Sequence, residues 1–126
     1  TADSEITEKT VPYADAYAEK YDGALPVYTG YSAYDAVYML KEAIESGESV
    51  ASDDIVSELE SMTFTGTSGT LEFFGQDGDY PHDIKYGEEY TRGVYFQWQP
   101  EGDSGSQSVV WPDEHQQAEY QAPPWV

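Results

Sequence analysis

The chain has 126 residues, with 25 acidic against 5 basic side chains and a formal net charge of -20, which argues against nucleic acid or an anionic membrane surface as a partner. At 39% hydrophobic and 15% aromatic residues it still holds enough apolar surface for a folded core, unlike disordered acidic chains. It has no cysteine, which excludes disulfides and thiolate metal sites.

The carboxylates are spread along the chain and lysine is scarce, as expected of a surface adapted to high salt; an ordinary acidic secreted protein is the alternative. No apolar run reaches the roughly 18 residues that would span a bilayer, and no signal peptide is seen. The start at Thr1 without methionine is expected of a processed or truncated piece, and the absence of asparagine leaves no N-glycosylation acceptor.

In chain order, Thr10 as N-cap with Pro12 in the first turn predicts a first helix, Tyr13, Tyr17 and Tyr21 recur at i, i+4 spacing, and Asp22-Gly23 ends it. Pro26 forces an extended approach through Val27 and Tyr28, and Ser32 with Asp35 reads as a capping box for a second helix. Ala33, Val37, Leu40 and Ile44 predict its core stripe, which Ala36, Met39 and Ala43 widen enough to imply packing on a sheet; Gly47 closes it. Ser52 predicts the cap of a third helix, with Asp53 and Asp54 favouring the dipole and Ile55, Val56, Leu59 and Met62 facing inward.

Beyond Met62 the period changes to two. Residues 64–73 read as two short extended pieces around a glycine turn, followed by a loop at 75–79. Val94, Phe96 and Trp98 share one face of the longest alternating run, Pro100 to Ser106 reads as a turn, and Ser108–Trp111 is the expected hairpin partner. A helical turn within 113–120 and a polyproline-like tail at Ala122–Trp125 complete the chain.

This succession carries a resemblance. A Tyr-x-x-x-Tyr helix ending at Asp22-Gly23, then Pro26, Gly30-Tyr31-x-x-Tyr34-Asp35-Ala36, an amphipathic helix, Phe64-x-Gly66-x-x-Gly69-x-Leu71-x-Phe73, Gly78-Asp79 and Val94–Trp98 hairpinned to Val109–Pro112 together resemble the C-terminal third of type I periplasmic binding proteins, specifically the branched-chain amino acid receptors of ABC transporters. The resemblance implies an α/β fragment of a two-lobed fold, with late helices of the N-terminal lobe in residues 1–85 and a crossover, C-lobe β-hairpin and tail in 86–126. Leu40, Ile44, Leu59, Phe73 and Trp98 would then lack part of the surface they cover in a whole receptor, so the isolated piece is expected to dimerise, swap elements or stay partly loose.

Tyr31 matches the position where the family sets an aromatic ring against the ligand's apolar part, with a hydroxyl able to face the crevice; Tyr34 and Tyr38 read as packing residues. The resemblance implies a non-enzymatic receptor for a small amino-acid-like ligand, without cofactor or metal. Such a receptor would dock on an ABC permease, work in the periplasm or outside the cell, and be membrane-anchored in its parent. An extracellular sensory or scaffold domain is the alternative. Asp77, Asp79 and Asp83 lack calcium-loop spacing and read as a solvated turn, and His82 and His115 read as surface residues. A halophilic hydrolase centred on His82 is a third, weaker reading.

Overall fold

The computed structural model describes residues 4–125. Helices α1 (Thr10–Lys20), α2 (Tyr28–Gly47) and α3 (Ser52–Ser61) come first. Strands β1 (Phe64–Thr65), β2 (Thr70–Leu71), β3 (Tyr95–Glu101) and β4 (Ser104–Trp111) follow, then a single 3₁₀ turn at Asp113–His115. The strands form two separate antiparallel hairpins, β1-β2 and β3-β4. This is the α/β class expected.

Helix α1 ends as its sequence predicts: Asp22 and Gly23 take φ of 53° and 83°, and the Gly23 N–H reaches back to the Ala18 carbonyl at 2.8 Å. Its start differs. Lys9 is the N-cap and Thr10 the first helical residue, because the Thr10 hydroxyl is used elsewhere, donating to the Thr67 carbonyl at 2.7 Å. Helix α2 likewise begins four residues before the expected capping box, at Tyr28 behind an extended Val27. Ser32 therefore lies in its second turn, bonded to the Tyr28 carbonyl at 3.3 Å. At its far end Glu48, not Gly47, takes the left-handed conformation. Gly47 serves close approach instead, since a Cβ there would lie 3.0 Å from the Glu58 side chain of α3. Ala51 rather than Ser52 is the N-cap of α3, and Ser49 supports that turn by accepting from the Ala51 N–H at 3.1 Å.

Packing selects a different face of α2 from the one its hydrophobicity suggests. Asp35, Met39 and Ala43 are buried at i, i+4 spacing, whereas Val37 and Leu40 stay exposed, Leu40 at 45%. Met39 joins Phe64 and Leu71 in the core, with Leu59, Met62, Phe73 and Ile84 packed around them. Thus Leu59 and Phe73 find cover inside the chain, while Leu40 and Trp98, the latter 65% exposed, lie open as expected. The loop after β2 is closed by Lys85 N–H to Glu72 C=O at 2.8 Å and by the Lys85–Glu72 ion pair at 2.9 Å. Hydrogen bonds from Lys85 and then Thr63 hold the Glu72 carboxyl below the ordinary carboxylate range.

The second hairpin is longer than the alternation suggests, because pairing continues through Pro100 opposite Gly105 and the turn shrinks to Gly102-Asp103. Gly102 supplies the positive φ, 59°, that so short a turn requires. A bulge separates Tyr95 from Phe96, and Val109 is wholly buried. The tail folds back on this hairpin. The Gln97 side chain donates to the Gln121 carbonyl at 2.8 Å and accepts from its N–H at 2.9 Å, and Gln99 donates to the Glu119 carbonyl at 2.8 Å.

Candidate functional site

A cavity of about 570 Å³ opens where four parts of the chain meet, one of them the start of α1 with Ile6 and Thr10. Pro26, Val27, Tyr28, Tyr31 and Ser32 at the start of α2 form one wall. Thr67 and Ser68, in the turn between β1 and β2, form the second, and residues 91–94 with Phe96 and Gln107 form the third. Its volume suits a small molecule. Among the described residues Arg92 is the one basic residue in the lining, and no carboxylate lines it. The Arg92 guanidinium lies 5.7 Å from the Trp111 ring and is ion-paired with Glu114. Beside it, burial and then the Arg92 charge push His115 below its ordinary value. The uncapped start of α2 adds the partial positive charge of free helix N–H groups. Within a strongly acidic chain these groups, Arg92 already holding Glu114 and the start of α2, give the cavity a local preference for a small anionic group such as a carboxylate over a cation.

The Thr67-Ser68 wall is held from behind by a carboxylate. Asp35, only 2% exposed, accepts from the Thr67 N–H at 2.8 Å and the Thr67 hydroxyl at 3.0 Å. The Ser68 N–H and hydroxyl each donate to it at 3.2 Å. A buried carboxylate is tolerated because its lone pairs are filled by these donors. Gly66 is necessary beside it, since a Cβ there would sit 2.5 Å from Asp35 Oδ2. The carbonyls of the same turn are taken in succession by side chains from elsewhere. Thr65 accepts from Lys9 at 2.5 Å, Gly66 from Thr7 at 2.7 Å, Thr67 from Thr10 at 2.7 Å and Ser68 from Thr91 at 3.1 Å.

Tyr31 lines the cavity, and its hydroxyl oxygen is buried. Tyr13 packs edge-on against it at 4.9 Å. Tyr34 and Tyr38 lie outside the cavity lining; Tyr34 stacks on Tyr13 and Tyr38, each at 4.6 Å, and its hydroxyl is pushed above the ordinary value chiefly by the hydrogen bond with Tyr38. The packing reading of those two therefore matches their contacts. His82 is exposed and bonded to Glu60 at 2.5 Å, away from the cavity, while His115 is half-buried beside Arg92 rather than fully at the surface. Asp77, Asp79 and Asp83 lie in an exposed turn, and among the described residues no group of His, Asp and Glu side chains is placed to hold a metal ion.

A family model described as periplasmic binding protein matches residues 3–103. The chain belongs to the periplasmic binding protein family. Three helices and two small antiparallel hairpins are consistent with a fragment of that fold. Membership carries a solute-receptor role and a small-molecule ligand in general terms, and a place in the periplasm or outside the cell. Searches of curated proteins and of solved structures find no match. No helix among the described residues is long and apolar enough to cross a membrane. The residues that sequence reasoning missed are Asp35 in its true role, Thr67, Ser68, Thr91 and Arg92. Only Asp35 left a signal, as a carboxylate four residues from both Tyr31 and Met39 on one helix face.

Proposed function

We propose that this chain is part of the solute-binding receptor of an ABC importer, taking a branched-chain or other amino acid in a cleft between two lobes. Residues 1–85 belong to the N-terminal lobe, and residues 86–126 hold the crossover and a hairpin of the second. Tyr31 presents its ring to the ligand's apolar side, and no covalent chemistry is involved. The cavity of about 570 Å³ carries this reading, because its lining comes from both of those segments and includes Tyr31. Arg92 and the start of α2 favour a carboxylate on the ligand. Ligand binding shifts the lobes from open to closed, and the closed form docks on the permease from outside the cell or from the periplasm, where the parent chain is anchored. The acidic surface suits work in high salt.

The test is a thermal-shift screen of the twenty amino acids against the complete parent chain in molar salt. A true ligand at a hundredfold excess over its Kd adds about 2.7 kcal/mol and raises the midpoint by several degrees. A flat response to every amino acid and small carboxylate overturns the proposal.

A further inference from the structure

We infer that Asp35 is a positioning residue for the cleft: it touches no ligand, but fixes the Thr67-Ser68 wall and, through Ser68, the Thr91 side of the cavity. The inference rests on the receptor reading above for the use the wall is put to, but not for the geometry that places it. Strands β1 and β2 pair over only two residues each, too short a ladder to hold a turn in place. Side chains hold it instead: Lys9, Thr7 and Thr10 bond its carbonyls, and Asp35 alone gathers the N–H and hydroxyl groups of both Thr67 and Ser68. The same Ser68 then offers its carbonyl to the Thr91 hydroxyl at 3.1 Å. A continuous line of bonds thus runs from a buried position on α2, across one cavity wall, into the next. Gly69 lets these walls meet, since it adopts φ of 130° and a Cβ there would stand 3.0 Å from the Thr91 backbone. A carboxylate suits this place better than an amide, because every group facing it is a donor. An asparagine would turn an NH₂ donor toward N–H and O–H groups and lose part of the set.

The experiment compares wild type, D35N and V109A in the full chain by amide hydrogen exchange, and by calorimetric titration with L-leucine. In D35N the Thr67 and Ser68 amides are expected to exchange at least about tenfold faster while α3 amides keep their rates. L-leucine affinity in D35N is expected to fall about tenfold, as for a site whose wall is no longer pre-organised. V109A, which thins the packing of the β3-β4 hairpin, loses stability without changing exchange at Thr67 and Ser68, so general destabilisation does not mimic that effect. Unchanged exchange at Thr67 and Ser68 in D35N overturns the inference, as does equally fast exchange there in V109A. Should D35N fail to fold, T67V decides, removing only the Thr67 hydroxyl's bond to Asp35. The Ser68 amide, which donates to the same carboxylate, then exchanges faster and T67S restores it; identical rates in T67V and wild type overturn the inference. If wild type binds neither L-leucine nor any other amino acid, the receptor reading falls, and the exchange data still decide the role of Asp35.

Discussion

The turn at residues 65–69 and the β3-β4 hairpin are both tight reversals of an antiparallel pair, yet opposite forces hold them. The hairpin is built from its own backbone, a ladder running from Tyr95-Trp111 to Glu101-Ser104, and leaves Phe96 and Trp98 half or more exposed. The turn has almost no ladder, and its polar groups are taken by side chains 23 to 59 residues away in sequence. A local structure tolerates point changes, whereas a turn held by long-range bonds registers each lost partner. The cavity takes one wall from the second kind and part of another from the first.

Removing the carboxylate altogether breaks this comparison hardest. Asp35→Ala leaves the Thr67 and Ser68 donors buried without an acceptor and is expected to cost about 3–5 kcal/mol in urea unfolding. On the hairpin side, Val109→Ala removes the most buried side chain of that region and should cost about 2 kcal/mol. Its amide-exchange signature should stay within 95–111, and spread of faster exchange to Thr67 would show that the two regions are not separate. Gln97→Ala cuts both bonds to Gln121, with an expected loss of about 1 kcal/mol and faster protease cleavage of the tail beyond 116 as the check.

The smallest effect concerns pH. Burial and the Arg92 charge lower the His115 pKa in the folded chain, so its contribution to stability is present above the unfolded value of about 6.5 and is lost as pH falls through that value toward the folded one. Between pH 7 and pH 5 wild type should therefore lose slightly more midpoint temperature than H115Q, a difference read against the larger common effect of protonating carboxylates. Equal slopes would place His115 outside the Arg92 environment.

The same contrast explains what could be read from sequence. The alternation at Val94–Gln99 announced β3 because a hairpin is a local object, and only its turn was misplaced. Pro100 looked like a breaker, but both strands of a two-stranded ribbon are edges, where a missing N–H is tolerated. Asp22-Gly23 and the 64–73 pattern were legible for the same local reason. Asp35 was not, since Ser32-x-x-Asp35 satisfies the spacing of a capping box and its real partners lie 32 and 33 residues on. The buried face of α2 was misjudged because periodicity marks an apolar arc without saying which part of it meets a neighbour. Tyr31 came from the family resemblance, not from any pattern of its own, and its ligand contact remains a proposal.

The tryptophans are confined to one end of a chain whose tyrosines are spread more widely. Rings from Tyr21 through Tyr17, Tyr13 and Tyr34 to Tyr38 stand in an unbroken row with centroids 4.4 to 6.1 Å apart, while Trp98, Trp111 and Trp125 all lie in the last third of the chain. Red-edge excitation, beyond the tyrosine band, is absorbed by tryptophan alone and so reports only on the hairpin and tail. Changes on that side of the cavity can therefore be followed by native emission, with no label attached.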